Sequence, residues 1–314
     1  MFRNNRYLLT VILVVVLFTG CATQRATERI AAFSEANRLT MQNIAAAFDT
    51  VERKHYEMQV SRIVNDPESF QCDPSKRTIG HFLSPDELQA RMQVLEGIQK
   101  YAEKLAVIMG NEQLDEFDER TRDFGKNLTK VNEDLVKKNI LNKATFKEGD
   151  IKVFTTAVNA IGRWFIEYKR QKGVKESVKN MQPFVDKICT LLAEDIGSSL
   201  ADADSGGRSK GLRDQLRRDY DGIIDRQCNF IEHGKGKLDP IQMRSEIKVM
   251  IALEVEQRQA DATLKAIQQS LDTLRKTHNK IEECFDKNTV EIDNLISDLI
   301  TEGKRIKEFY NTLD

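Results

Sequence analysis

Residues 267–313 read IQQSLDTLRKTHNKIEECFDKNTVEIDNLISDLITEGKRIKEFYNTL. Fourteen positions in this stretch, from Ile267 through Leu271, Leu274, His278 and Ile281 to Leu313, alternate spacings of four and three without a skip. Eleven of the fourteen are apolar, a heptad seam of the coiled-coil kind. Asp239-Pro240 opens the element with a cap and a first-turn proline, and no proline follows to Asp314. Unbroken, residues 240–314 would span about 110 Å at the helical rise per residue. A single bend or break is expected, near the weaker pattern before Ile267.

The same rhythm organises the rest of the chain. Ile30, Phe33, Asn37, Met41, Ile44, Phe48, Val51, His55 and Met58 form one stripe of a long first helix, expected from near Thr27 to Asn65-Asp66-Pro67. Ser84-Pro85-Asp86-Glu87 is a capping box that starts a second helix, stopped by Gly110. Leu114 to Leu135 and Ile151 to Tyr168 predict a third and a fourth, the latter ending near Gly173. Val174 to Leu192 predict a fifth, kinked at or starting just before Pro183. Residues 197–211 look like a flexible linker, and Leu212 to Ile223 open a sixth helix that ends by Gly234. Strand-like alternation is absent. The expected class is all-α: an elongated bundle of about seven helices with long, coiled-coil-like first and last members.

The start of the chain has a different grammar. Met1 to Cys21 reads MFRNNRYLLTVILVVVLFTGC. Arg3 and Arg6 give a positive head, and Tyr7 to Phe18 is an apolar run broken only by Thr10. That run is short for the roughly 30 Å hydrocarbon core of a bilayer, and has the length and flanks of a signal-peptide core. Thr19-Gly20-Cys21 closes it with small residues and a thiol. This ending resembles the lipobox of bacterial lipoproteins, with Phe18 where that family usually has Leu. The resemblance implies cleavage before Cys21 and attachment of acyl groups such as palmitate to it. Ala22, not Asp, follows the cysteine. By the same resemblance the destination is the outer membrane, with the domain on its periplasmic face. The expected parts are a signal peptide over 1–20, a lipidated cysteine and short tether over 21–26, and a helical domain over 27–314.

Loss of Arg3 and Arg6 with the signal leaves 46 basic against 49 acidic residues, with both signs interspersed. Nucleic acid, which needs a concentrated basic face, is not an expected partner. Lys137-Lys138 and Arg217-Arg218 are isolated doublets. Beyond Cys21 stand Cys72, Cys189, Cys228 and Cys284, an even number that suggests disulfides in an exported protein. The preferred pairing is Cys189 with Cys228, on two consecutive helices read as a hairpin, and Cys72 with Cys284.

The chemistry-bearing motifs are thin. Glu52-x-x-His55 has the spacing of a di-iron helix, but no second copy accompanies it, and His55 lies on the apolar stripe. His278, Asn37 and Asn288 are seam positions that set register. Asp202 to Gly207 opens like a calcium loop and then fails, with Gly206 at position five and Arg213 at position twelve. His233 to Lys237 lacks phosphate-loop spacing, and no GxSxG or HExxH occurs. No metal, cofactor or catalytic residue is expected. The expected function is that of a non-catalytic, membrane-anchored interaction or scaffold component of an envelope assembly, or a factor that blocks a channel or phage infection. Its partners would be membrane lipid through the acyl anchor, and a protein or a second copy of the chain. Two other classes are a membrane-shaping helical dimer and an enzyme whose site is dispersed over several helices.

Overall fold

The computed structural model describes residues 4–65, 81–110, 133, 170–197, 211–285 and 290–312, and the side chains of these from residue 24 onward except 61, 62, 64, 65, 86, 170 and 171. Six α-helices lie among them: α1 (Asn4–Asn65), α2 (Pro85–Gly110), α3 (Arg170–Ile196), α4 (Leu212–His233), α5 (Pro240–Ile281) and α6 (Val290–Asn311). A 3-10 turn, Glu282–Phe285, links the last two. The described residues contain no strand. The protein is an all-α bundle. Two helices expected between Leu114 and Tyr168 lie outside the described residues.

Three boundaries differ from expectation, each for a local reason. α1 starts at Asn4 instead of near Thr27, so the tether expected over 21–26 is helical. Gly20 is the one glycine near that junction and no proline interrupts it, so nothing stops propagation. α3 begins at Arg170 and runs through both Gly173 and Pro183. Ser177 Oγ donates to the Gly173 carbonyl at 2.7 Å, the back-bond a serine makes from inside a helix, so Gly173 lies within the helix where an end was expected. The break in the last element falls between Ile281 and Val290 and not before Ile267. The heptad register therefore survives while the helix folds back.

Both capping boxes form. Ser84 N–H donates to Glu87 at 2.8 Å, and Glu87 N–H donates to Ser84 Oγ at 3.3 Å. Asp239 accepts from the backbone of Ile241 and Gln242, and Gln242 accepts in return from Asp239 N–H. All nine stripe residues of α1 are buried, including Asn37 and His55. Burial of each large aliphatic side chain contributes about 1.5–3 kcal/mol.

Polar ties fix how the helices pack. α2 runs antiparallel to α1: Asn37 donates to the Ile98 carbonyl at 3.2 Å, and Glu52 accepts from Leu83 N–H at 2.8 Å. α6 runs parallel to α1, with Thr40 donating to the Leu299 carbonyl and Asn43 to that of Gly303. A Cβ on Gly303 would stand 3.0 Å from Thr40 Oγ1, so this glycine permits the close approach. Arg29 closes the same pair with two 2.8 Å bonds to Asp293. Helices α1, α2, α3, α5 and α6 thus form a ring at the end where residue 24 stands, each touching the next. α4 continues the bundle beyond that ring, against α5 and α1.

One residue shows how. Gln268 on α5 donates to the carbonyls of Ala193 and Gly197 at the end of α3. The same side chain accepts from Arg213 at the start of α4, while Arg213 binds Asp261 through two bonds of 2.7 and 2.8 Å. Farther along, Gln182 of α3 meets His278, and Gln227 of α4 meets Glu246. α3 and α4 are therefore stacked end to end along α5. The linker between them leaves at Gly197 (φ 68) and returns at Gly211 (φ 102). A Cβ on Gly211 would lie 2.7 Å from Gly197 Cα, so the two ends of the linker touch.

Candidate functional site

Cys21 lies within α1, five residues before Ala26, the first buried apolar residue described. Helix therefore joins Cys21 directly to the ring of helices. Among the described residues, no helix is long and apolar enough to cross a membrane.

The pairing of Cys189 with Cys228 does not form; Cys189, Cys228 and Cys284 are free thiols. End-to-end stacking explains this. Cys189 sits in the field of Asp272 and Arg275, whereas the Cys228 thiol donates to Met250 Sδ at 3.3 Å. Twenty-two residues of α5 separate Met250 from Asp272, about 33 Å along the axis. A disulfide spans less than about 7 Å between Cα atoms. Cys72, the partner expected for Cys284, lies outside the described residues.

Burial pushes the Cys189 thiol up to about 12 and that of Cys284 up to about 11. Both are held as poor nucleophiles, since the thiolate is the reactive form. Native alkylation of the three free thiols should label Cys228, which is exposed, and spare Cys189 and Cys284 until denaturant is added. Peptide mapping of the alkylated protein reads the result, and equal labelling of all three would contradict the packing.

Lys137-Lys138, Asp202 to Gly207 and Asn288 lie outside the described residues, while Glu52, His55, Arg213, Arg217 and Arg218 are absorbed by packing. Glu52 holds the segment before α2, accepting from Leu83 N–H and pairing with His81 Nδ1 at 2.9 Å. His55 turns elsewhere, to Asp219 of α4 at 3.1 Å and onto the Phe82 ring. The Glu-x-x-His pair thus serves two different contacts. Arg217 and Arg218 of the basic doublet pair with Asp214 and Asp221 on their own helix. Arg213, at the failed twelfth position of the calcium loop, is the buried partner of Asp261. Among the described residues, no group of three or more His, Cys, Asp or Glu is arranged to hold a metal ion.

His278 is the most strongly perturbed imidazole. Its Nδ1 lies 2.6 Å from Gln182 Oε1 and its Nε2 lies 2.8 Å from the Tyr101 hydroxyl. The amide oxygen only accepts, so Nδ1 carries the proton and Nε2 accepts from tyrosine. Burial lowers the imidazole to about 3 and raises Tyr101 well above its ordinary value. This chain ties α2, α3 and α5 together with all its members uncharged.

Tyr220, Glu256, Glu57 and Lys54 form a second polar knot where α1, α4 and α5 meet, and burial raises the Glu256 carboxyl. No family model, curated protein or solved structure matches the chain. The chemistry on view is that of helix cohesion: neutralised groups and paired charges at helix contacts.

Proposed function

We infer that this chain is a bacterial lipoprotein, acylated at Cys21, that presents a rigid helical bundle at a membrane surface and works through protein contacts without catalysis. The observation that carries this reading is the lipobox running without a break into α1. After cleavage the lipidated residue would be the first of the helix, and the bundle core would begin five residues later. A disordered leash would let a domain search space. A helical junction instead fixes its height. α1 from residue 21 to Asn65 extends about 65 Å, a length suited to a post or spacer in an envelope assembly or to a blocking factor. Ala22 points to the outer membrane as the destination, with the bundle in the periplasm.

Replacing the anchor cysteine tests this. Cys21→Ala should abolish incorporation of labelled palmitate and move the protein from the membrane pellet to the soluble fraction or leave it unprocessed. A protein that remains acylated, or a mature chain that begins elsewhere by mass spectrometry, would remove the reading.

A further inference from the structure

The first half of α5 carries two seams, one of which has no partner among the described residues. Glu246, Met250, Leu253 and Gln257 face α4, with Gln227 donating to Glu246 at 2.8 Å and Gln257 donating to Asp221 at 2.7 Å. On the opposite side Ile241, Arg244, Lys248, Ile251, Val255 and Arg258 alternate spacings of three and four, and every one is exposed. Ile241 is 81% and Ile251 50% accessible, and Ile247 widens the strip. This second seam covers about 26 Å of helix.

Its charges have one sign. Arg244, Lys248 and Arg258 enter no ion pair among the described residues. Two acids of the same stretch are turned away, Glu246 toward α4 and Glu256 toward Tyr220 and Lys54, while Glu254 flanks the strip one heptad after Ile247.

We propose that this strip docks an acidic amphipathic helix of a partner protein, as a third strand laid on the α4–α5 pair. The inference rests on the reading of the protein as an interaction module and is independent of the anchor. Heptad spacing with β-branched Ile and Val matches knobs-into-holes packing, and flanking charges select the partner. Cations at three of the six seam positions call for carboxylates opposite them. A second copy docked through the same strip would put six cations in one seam with no acid to answer them. A lipid surface fits less well, because interfacial helices lead with Trp, Phe and Leu, which the strip lacks.

The probe is a three-heptad synthetic peptide with Ile and Leu at its seam and Glu at the flanking positions, titrated against the detergent-solubilised full chain. It should bind at least roughly tenfold tighter than its Lys-for-Glu counterpart, a difference of about 1.4 kcal/mol. Arg244→Glu with Lys248→Glu should reverse that preference, and Ile251→Glu should abolish binding. These positions are exposed, and circular dichroism should be unchanged. Equal binding of both peptides, or indifference to charge reversal, overturns the proposal. A photocrosslinker at position 251 in cells gives the second arm. An adduct mapped to an acidic helix of another protein, lost on charge reversal, supports it. Adducts to lipid, to a second copy, to residues 111–169 of the same chain, or none at all overturn it. Charge reversal should leave membrane fractionation intact, so failure here is distinct from failure at Cys21.

Discussion

Arg91→Ala should destabilise the bundle by about 3–5 kcal/mol, the range for removing one partner of a buried ion pair. Arg91 and Asp195 are both completely inaccessible to water, joined by two bonds of 2.6 and 2.7 Å. Arg91 also donates to the Glu87 carbonyl in the first turn of α2. The planar guanidinium thus answers both carboxylate oxygens and one backbone oxygen, a geometry that lysine cannot copy. Removal of the arginine leaves a carboxylate in an apolar contact between α2 and α3. It also loosens the point where α3 hands over to α4, because Gly211 packs against the Asp195 carbonyl. Denaturant midpoints read the effect. The diagnostic control is Arg91→Met with Asp195→Leu, which removes both charges. If buried ionic pairing here mainly sets geometry, the double variant should recover most of the lost stability. A single variant as stable as the parent would show that water reaches the pair.

How much of this was visible in the residues depends on how local each cause is. The caps at Ser84 and Asp239 and the nine-residue stripe of α1 could all be read directly, because each is decided within one or two turns. The fold-back between α5 and α6 could not. Phe285 and Asn288 keep the heptad count, and periodicity reports which face is buried, not whether the helix is continuous. The cysteine pairing failed for a topological reason: a 13-residue linker can join a hairpin or two helices in line, and Gly197 against Gly211 selects the second. The candidate site divides in the same way. Cys21 sits in a contiguous motif and needs no fold to be noticed. The strip from Ile241 to Arg258 escaped notice because cations occupy three of its seam positions, and an apolar count therefore records only a weak pattern. Its character depends on knowing that α4 covers the other side.

Acid should weaken the bundle through His278, with a window set by its own titration. The ordinary imidazole value is 6.5, and burial lowers it to about 3 in the folded protein. Between those values the unfolded chain binds a proton that the folded one refuses, so stability falls as pH falls. Above about 6.5 both states are neutral and the group adds no pH dependence. At pH 5 the loss is about 2 kcal/mol, and at pH 3 it is about 4 kcal/mol, at about 1.4 kcal/mol per pH unit. Nothing cationic is needed to explain the shift. The neighbours are the Tyr101 hydroxyl, the Gln182 amide and the Phe33 ring, and the stated cause is removal from water. Carboxylates such as Asp293, which Arg29 holds below its ordinary range, also contribute acid lability. The comparison must therefore be a difference between two proteins. His278→Gln keeps a hydrogen-bonding side chain at the seam and removes the titration. It should be less stable at pH 7 and show a pH slope shallower by about one proton between pH 4 and 6. Parallel slopes for parent and variant would place the imidazole in contact with water, and would dissolve the uncharged tie between α2, α3 and α5.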